Sequence, residues 1–322
     1  MNIEKVIIHS LDESLRVLML SESQINLVKT PEVEAYSEKF VKGLLKSTTS
    51  THGKLTENSI YQTLINAPLN FVETSQKIAQ SWFSTYTSRM EYPSLNCLIV
   101  QVEIEDVIWL ALFEIESKSG YLKITENNPN LENKVIYNHA ILPESFASVK
   151  AAWMLNLSTG EVCVRGNRDY KEIIQELVGC DLVANNKDSY KVVDSLVGYL
   201  SEVRDEETVK NSMKAKQIIQ DNLELLEEIS ADALLNEVFG DFEEHEATMI
   251  ETTLEYERVE NPINLKELNR TSLAKKQRIK TESGIEIILP IDVLDVNDVL
   301  DIKTDESGRV SIELKNIGKI IE

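Results

Sequence analysis

The sequence predicts an α+β protein: a mixed α/β N-terminal domain with a central antiparallel sheet, an acidic helical segment, and a small β-rich C-terminal module. Three observations carry this reading. Between Leu95 and Ile115, two β-branched and aromatic runs are separated only by Glu105-Asp106, the pattern of a hairpin at the centre of a sheet. Apolar residues at three- and four-residue steps flank this hairpin and mark amphipathic helices. From about Tyr190 the texture turns helix-rich and acidic, and alternation returns after Asn261-Pro262. The boundaries therefore fall at 1–200, 201–262 and 263–322.

The elements follow in chain order. Val6-Ile7-Ile8-His9 and Leu15 to Leu20 read as two strands joined by turn residues around Asp12. Thr30-Pro31-Glu32 reads as a helix start, with Thr30 as N-cap and Pro31 at the first helical position. Val33, Tyr36, Phe40, Val41 and Leu44 give that helix an apolar stripe, and Ser47 to Gly53 reads as a loop. A second helix spans about Asn70 to Met90 and is ended by Pro93. Beyond the central hairpin, Tyr121 to Ile124, Val149 to Leu157 and Glu161 to Val164 add strands. Arg165-Gly166-Asn167-Arg168 then leads into a helix carrying Ile173, Ile174, Leu177 and Val178, with Gly179 as C-cap.

In the acidic segment, Val203, Val209, Met213, Ile218, Ile219, Leu223, Leu226 and Ile229 keep helical spacing. Ser230 caps a short helix ending near Phe239-Gly240. In the tail, Ile285 to Leu289 and Val310 to Leu314 alternate, and Asp305-Glu306-Ser307-Gly308 is a turn. No internal repeat is visible.

Charge bounds the function. The 322 residues hold 33 Lys+Arg against 54 Asp+Glu, a formal net charge of −21. Such a charge repels phosphate at long range, so contact with nucleic acid requires a local basic surface. The acidity is concentrated: Ser201 to Glu260 carries thirteen more acids than bases. Two basic clusters stand apart from it. One is Arg165, Arg168 and Lys171 around Gly166; the other is Arg270, Lys275, Lys276, Arg278 and Lys280, with no acid among them. Each cluster has two readings, phosphate contact or intramolecular salt bridges.

Catalytic signatures are sparse. Glu114-Ile115-Glu116-Ser117-Lys118, after a strand beginning near Asp106, loosely echoes the carboxylate and lysine set of metal-dependent nucleases, where carboxylates hold Mg²⁺. A solvated strand end gives the same residues. His9, His52, His139 and His245 lack metal-ligand spacing, and no phosphate loop, nucleophile elbow or dinucleotide fingerprint is present. Cys97, Cys163 and Cys180 are too few and too far apart for a disulfide framework, and Cys97 reads as a buried thiol. No cofactor and no metal is expected. No stretch approaches a membrane span and no signal peptide is visible, so a cytoplasmic location is expected.

The order of segments is informative as a whole. A strand pair ends in Leu18-Met19-Leu20 and is followed by the Thr30-Pro31 helix, the Phe71 to Met90 helix and the Asn96 to Glu116 hairpin. Val162-Cys163-Val164-Arg165-Gly166 leads to a helix ending in Leu177-Val178-Gly179. The tail carries Gly284-Ile285-Glu286-Ile287 and Val310-Ser311-Ile312-Glu313-Leu314. This order resembles the bacterial nucleoid-associated protein family, NdpA type, over nearly the whole chain. The resemblance implies association with DNA in the bacterial nucleoid; members are similarly acidic, and no catalytic residue is carried over.

The expected function is therefore binding of double-stranded DNA without strong sequence preference, through the eight cations of the two clusters. A DNA-associated protein partner and a homodimer accompany this reading. Two alternatives stay open. One is an acidic interaction module acting on a DNA-processing enzyme through residues such as Glu224, Glu227, Glu228, Glu243 and Glu244. The other is a nuclease active in defence against foreign DNA, built on Asp106, Glu114, Glu116 and Lys118.

Overall fold

The computed structural model describes residues 1–12, 17–47, 49–89, 95–127, 131–149, 151–271, 273–280, 284–291, 300–304 and 310–315. The chain divides into two compact units, Met1–Val183 and Ala184–Glu322.

Unit 1 contains β1 (Asn2–Asp12), β2 (Val17–Met19), α1 (Pro31–Leu45), β3 (Thr51–Leu55), α2 (Phe71–Arg89), β4 (Leu95–Ile104) and β5 (Val107–Glu116). It continues with β6 (Lys118–Asn127), β7 (Leu131–Ile141), β8 (Ala151–Asn156), β9 (Glu161–Arg165), α3 (Arg168–Ile174) and β10 (Cys180–Val183). Eight of these strands form one antiparallel sheet in the order β10-β3-β9-β8-β5-β4-β1-β2. The class is α+β.

The central hairpin forms where the sequence predicts it, with Ile104 paired to Val107 across Glu105-Asp106. Both turn residues have positive φ, 51° and 63°, as a two-residue primed turn requires. The central strands are continuous apolar runs because both faces of the sheet are covered. Cys97, Ile99, Leu112 and Trp153 pack on one side with Trp82 of α2 and Ile174 of α3. Leu98, Val100, Phe113 and Met154 pack on the other with Phe40, Val41 and Leu44 of α1.

Several local expectations change. Thr30 occupies the N-cap position of α1, but its side chain makes no cap bond; its hydroxyl donates to the Asn26 carbonyl instead. The expected loop through Gly53 ends early, since Thr51 to Gly53 begin β3 between β9 and β10. The polar sequence Thr-His-Gly-Lys hides this strand, and Gly53 admits it: a Cβ there would lie 1.9 Å from the Asp181 carbonyl oxygen. Tyr121 to Ile124 is a strand, but it lies outside the main sheet: among the described residues, β6 pairs with β7 alone, in a separate two-stranded ribbon. The linker after Asp12, Pro93 and the Asp305 to Gly308 turn fall outside the described residues.

Unit 2 contains α4 (Asn186–Val203), α5 (Thr208–Asn222), β11 (Glu228–Ile229), α6 (Ala231–Phe239), α7 (Glu244–Tyr256), β12 (Ile263–Asn264) and α8 (Leu265–Asn269). Two hairpins follow, β13 (Lys276–Lys280) with β14 (Glu286–Pro290) and β15 (Leu300–Thr304) with β16 (Val310–Leu314). The residue-200 boundary read from sequence falls inside α4. The apolar spacing that reads as one helical pattern to Ile229 breaks at Asn222: Leu223 and Leu226 lie beyond α5 and Ile229 is in β11. Ser230 caps α6 by accepting from the Ala233 amide at 3.1 Å, and Gly240 ends it at φ 76°. Tyr190, Val193, Val197, Ile219, Leu234, Leu235 and Leu265 form the main core. Met213, Ile279, Leu289 and Ile291 form a smaller one.

Candidate nucleic-acid interface

The C-terminal basic cluster is built on a strand that the sequence reading left without an assignment. In β13, Gln277 and Ile279 are buried while Lys276, Arg278 and Lys280 are exposed. Alternation puts these three cations on one face, about 7 Å apart at two-residue steps. The exposed row therefore follows from Ile279 joining Met213 and Leu289 in the core beneath it.

Helix α5 fixes the strand from below. The Lys216 ammonium donates to the Gln277 side-chain oxygen at 2.6 Å and to the Lys276 carbonyl at 3.2 Å. Gln220 donates to the Ala274 carbonyl and the Asn269 side chain, both at 3.1 Å. Lys216 is buried, and burial lowers its pKa. The sequence reading missed this clamp. Its signal is present: Lys216 and Gln220 fall at helical spacing from Met213, on the face that turns inward.

The cations above the clamp are weakly compensated. Arg278 and Lys280 both face Glu286, at 3.9 and 4.0 Å, with all three side chains exposed. Exposed pairs at such separations contribute little. Among the described residues, Arg270, Lys275 and Lys276 have no carboxylate within ion-pair distance.

The N-terminal cluster is arranged differently. Arg165 ends β9 with its guanidinium 4.4 Å from the centre of the Phe146 ring and donates to the Phe146 carbonyl at 3.1 Å. Its pKa is lowered by burial. Gly166 lets Tyr170 close over the turn, since a Cβ would meet the Tyr170 ring at 2.3 Å. Asn167 caps α3 through the Tyr170 amide. Arg168 is exposed and pairs with Glu172 at 3.2 Å. Lys171 is half-buried and engaged by neighbouring groups. Arg165 thus acts inside the fold, and Arg168 and Lys171 sit on the outer side of α3.

The nuclease set does not assemble. Asp106 lies in the turn at one end of β5 and Glu114 near the other, eight residues along an extended strand, or about 27 Å apart. Glu114 points into the core, where Trp82 donates to one oxygen at 2.5 Å and Tyr86 to the other at 3.0 Å. Burial pushes its pKa up to about 7 against these donors. Glu114 is therefore a core carboxylate, and Glu116 and Lys118 stand at the β5–β6 junction. No group of three His, Cys, Asp or Glu among the described residues could hold a metal ion.

The histidines are locally engaged. His9 is buried between the Ser75 hydroxyl and the Ser21 amide, and burial lowers its pKa to about 4. His52 faces Cys163, His139 faces Ser119 and His245 faces Glu243. The three cysteines are free and buried.

Unit 2 thus carries a basic strand on an acidic helical core, and among the described residues of unit 1 the candidate nuclease carboxylates do not come together. The family model described as nucleoid-associated protein YejK matches residues 7–320. The chain belongs to this nucleoid-associated protein family. The matched span takes in both units, both basic clusters and the β6–β7 ribbon. Family membership carries a nucleoid-associated role and, with it, association with DNA. No curated protein sequence matches the chain. Among the described residues, no helix is long and apolar enough to cross a membrane.

Proposed function

We propose that the protein binds double-stranded DNA at the nucleoid of the bacterial cytoplasm, without strong sequence preference, through the exposed face of β13. The observation that carries this reading is the row Lys276, Arg278 and Lys280, held outward by the burial of Gln277 and Ile279. Arg270 and Lys275 are further exposed cations on the segment leading into β13, and Arg168 and Lys171 provide a second contact on unit 1. Arg165 supports that contact by ordering the turn before α3. Contacts from these cations to phosphates carry no base pattern, which gives affinity without sequence reading. The surrounding acidity restricts approach to the basic face, and each phosphate that a cation neutralises makes binding weaken with salt. Binding, not chemistry, is the role these residues fit.

Fluorescence anisotropy with two unrelated duplexes of equal length at low salt tests the proposal. Similar affinity for both duplexes is expected, weakened for both by Lys276→Gln with Arg278→Gln and Lys280→Gln. Absence of binding at low salt would refute it.

A protein partner is the second reading. An open groove in unit 2 is floored by Ile250 and Leu254 and bordered by Asp232, Glu251, Glu255 and Glu260. Arg258 also lines it and meets Glu260 at 4.0 Å, which leaves the groove acidic overall and suited to a basic segment of a DNA-associated protein. Pull-downs with Glu251→Gln and Glu255→Gln should lose such a partner; an unchanged set of captured proteins would count against this reading.

A further inference from the structure

The β6–β7 ribbon is the least explained feature of unit 1. Its strands are ten and eleven residues long and, among the described residues, pair with no third strand. Among the described residues, nineteen large hydrophobic side chains are exposed, and six of them lie on this ribbon. Tyr121, Val135 and Tyr137 share one face, with the two tyrosine rings 4.9 Å apart. Leu122, Ile124 and Ile136 share the other. Tyr121 and Val135 are 75% and 71% exposed, and none of the six joins a buried cluster.

A two-stranded ribbon is marginal in water without a covering layer. A ribbon that is apolar on both faces calls for that layer twice. We propose that the ribbon is a self-association arm, clasped on both faces by a second copy of this chain.

Three observations favour a second copy. The first is chemical. Leu122, Ile124, Val135 and Ile136 are aliphatic and cover both faces, and the ribbon's three lysines are nearly balanced by two glutamates, whereas nucleic-acid surfaces are strongly positive. The second is charge. Two chains of net charge −21 repel each other, but residues 118–141 hold Lys118, Lys123 and Lys134 against Glu126 and Glu132. The ribbon is thus a place where two such chains can meet without stacking negative charge. The third is area. A ribbon about 33 Å long and about 10 Å wide offers about 660 Å² over its two faces, close to the ~800 Å² each partner gives a standard interface. Symmetric pairing also closes the assembly at two copies, leaving neither apolar face in solvent.

The test is the mass of the full chain by light scattering or sedimentation at micromolar concentration, without DNA. The wild type should have about twice the 36.5 kDa chain mass. Two variants, Val135→Lys with Tyr137→Ser and Ile124→Lys with Ile136→Thr, strike opposite faces and should each return the chain mass. Their native tryptophan emission should be unchanged, because the ribbon residues belong to no core cluster. Val135→Cys provides a readout that needs no loss of assembly: since the chain's own cysteines are buried, a bis-maleimide should join two copies through it. A monomeric wild type, a dimer that survives both double variants, or failure of Val135→Cys to link copies would each overturn the proposal. So would variants that keep their mass but lose DNA affinity, which would assign the ribbon to nucleic acid. Because DNA is absent from the mass measurement, its failure is distinct from failure of the DNA-binding reading.

Discussion

Replacing Glu114 with Gln should flatten the pH dependence of unit 1 stability. Glu114 is 6% exposed, and burial raises its pKa from 4.5 to about 7. The folded state therefore binds a proton more tightly than the unfolded chain does. Stability from this group is fully present below pH 4.5 and is lost as pH rises through 7. A shift of two and a half units corresponds to about 3 kcal/mol, of which about 2.5 kcal/mol is lost between pH 5 and pH 8. The neighbouring Tyr86, Tyr170 and Cys97 are pushed upward by burial and stay neutral over this range. Glutamine keeps an oxygen for the Trp82 donor, sets its amide group against the Tyr86 hydroxyl, which can accept, and removes the titration. The assay is urea unfolding followed by tryptophan emission. Trp82, Trp109 and Trp153 all lie in unit 1, so the signal reports that unit alone. Wild-type stability relative to Glu114→Gln should fall by about 2.5 kcal/mol from pH 5 to pH 8. A pH-independent difference would refute the burial argument.

Three further outcomes follow from the same kind of reasoning. Gly53→Ala forces a methyl group onto the Asp181 carbonyl and should destabilise unit 1 by about 3 kcal/mol, read from the same urea curves. Arg204 donates to both oxygens of the buried Glu246 carboxylate, at 2.8 and 2.6 Å. Arg204→Ala should therefore cost about 3 kcal/mol in unit 2, seen by calorimetry, because it leaves that carboxylate with the Glu243 amide but without its cation. Lys216→Met removes the donor beneath β13 and should destabilise unit 2 by about 1–2 kcal/mol. Amide exchange at residues 276–280 should quicken, and DNA affinity should drop although no exposed cation is lost.

The sequence exposes those parts of the fold that are coded by local apolar pattern. The β4–β5 hairpin, α1 and α2 follow from apolar runs and helical spacing, and α6 from its serine cap and glycine stop. Elements stabilised by their neighbours stay hidden. The Thr51–Leu55 strand is polar and exists because β9 and β10 flank it. Of the β6–β7 ribbon the sequence marks only Tyr121 to Ile124 and leaves Leu131–Ile141 unread, and pairing partners are not encoded in alternation alone.

The candidate site shows the same limit. Five cations without a local acid mark the region around β13, but not which of them share a face. That is decided by Gln277 and Ile279 turning inward onto Lys216 and Met213. Arg165 looks equivalent to Arg168 in sequence, yet the Phe146 ring and carbonyl occupy its guanidinium. Glu114 sits in a nuclease-like string, and only its Trp82 and Tyr86 partners reveal a core role.

The central claim is that the exposed face of β13 carries phosphate contact. Its most direct test is the slope of log K against log salt concentration for duplex DNA, compared between the wild type and the Lys276→Gln, Arg278→Gln, Lys280→Gln variant. If all three cations neutralise phosphates, the variant's slope should be shallower by about 2.7. Equal slopes for the two proteins would place the contact elsewhere and contradict the claim.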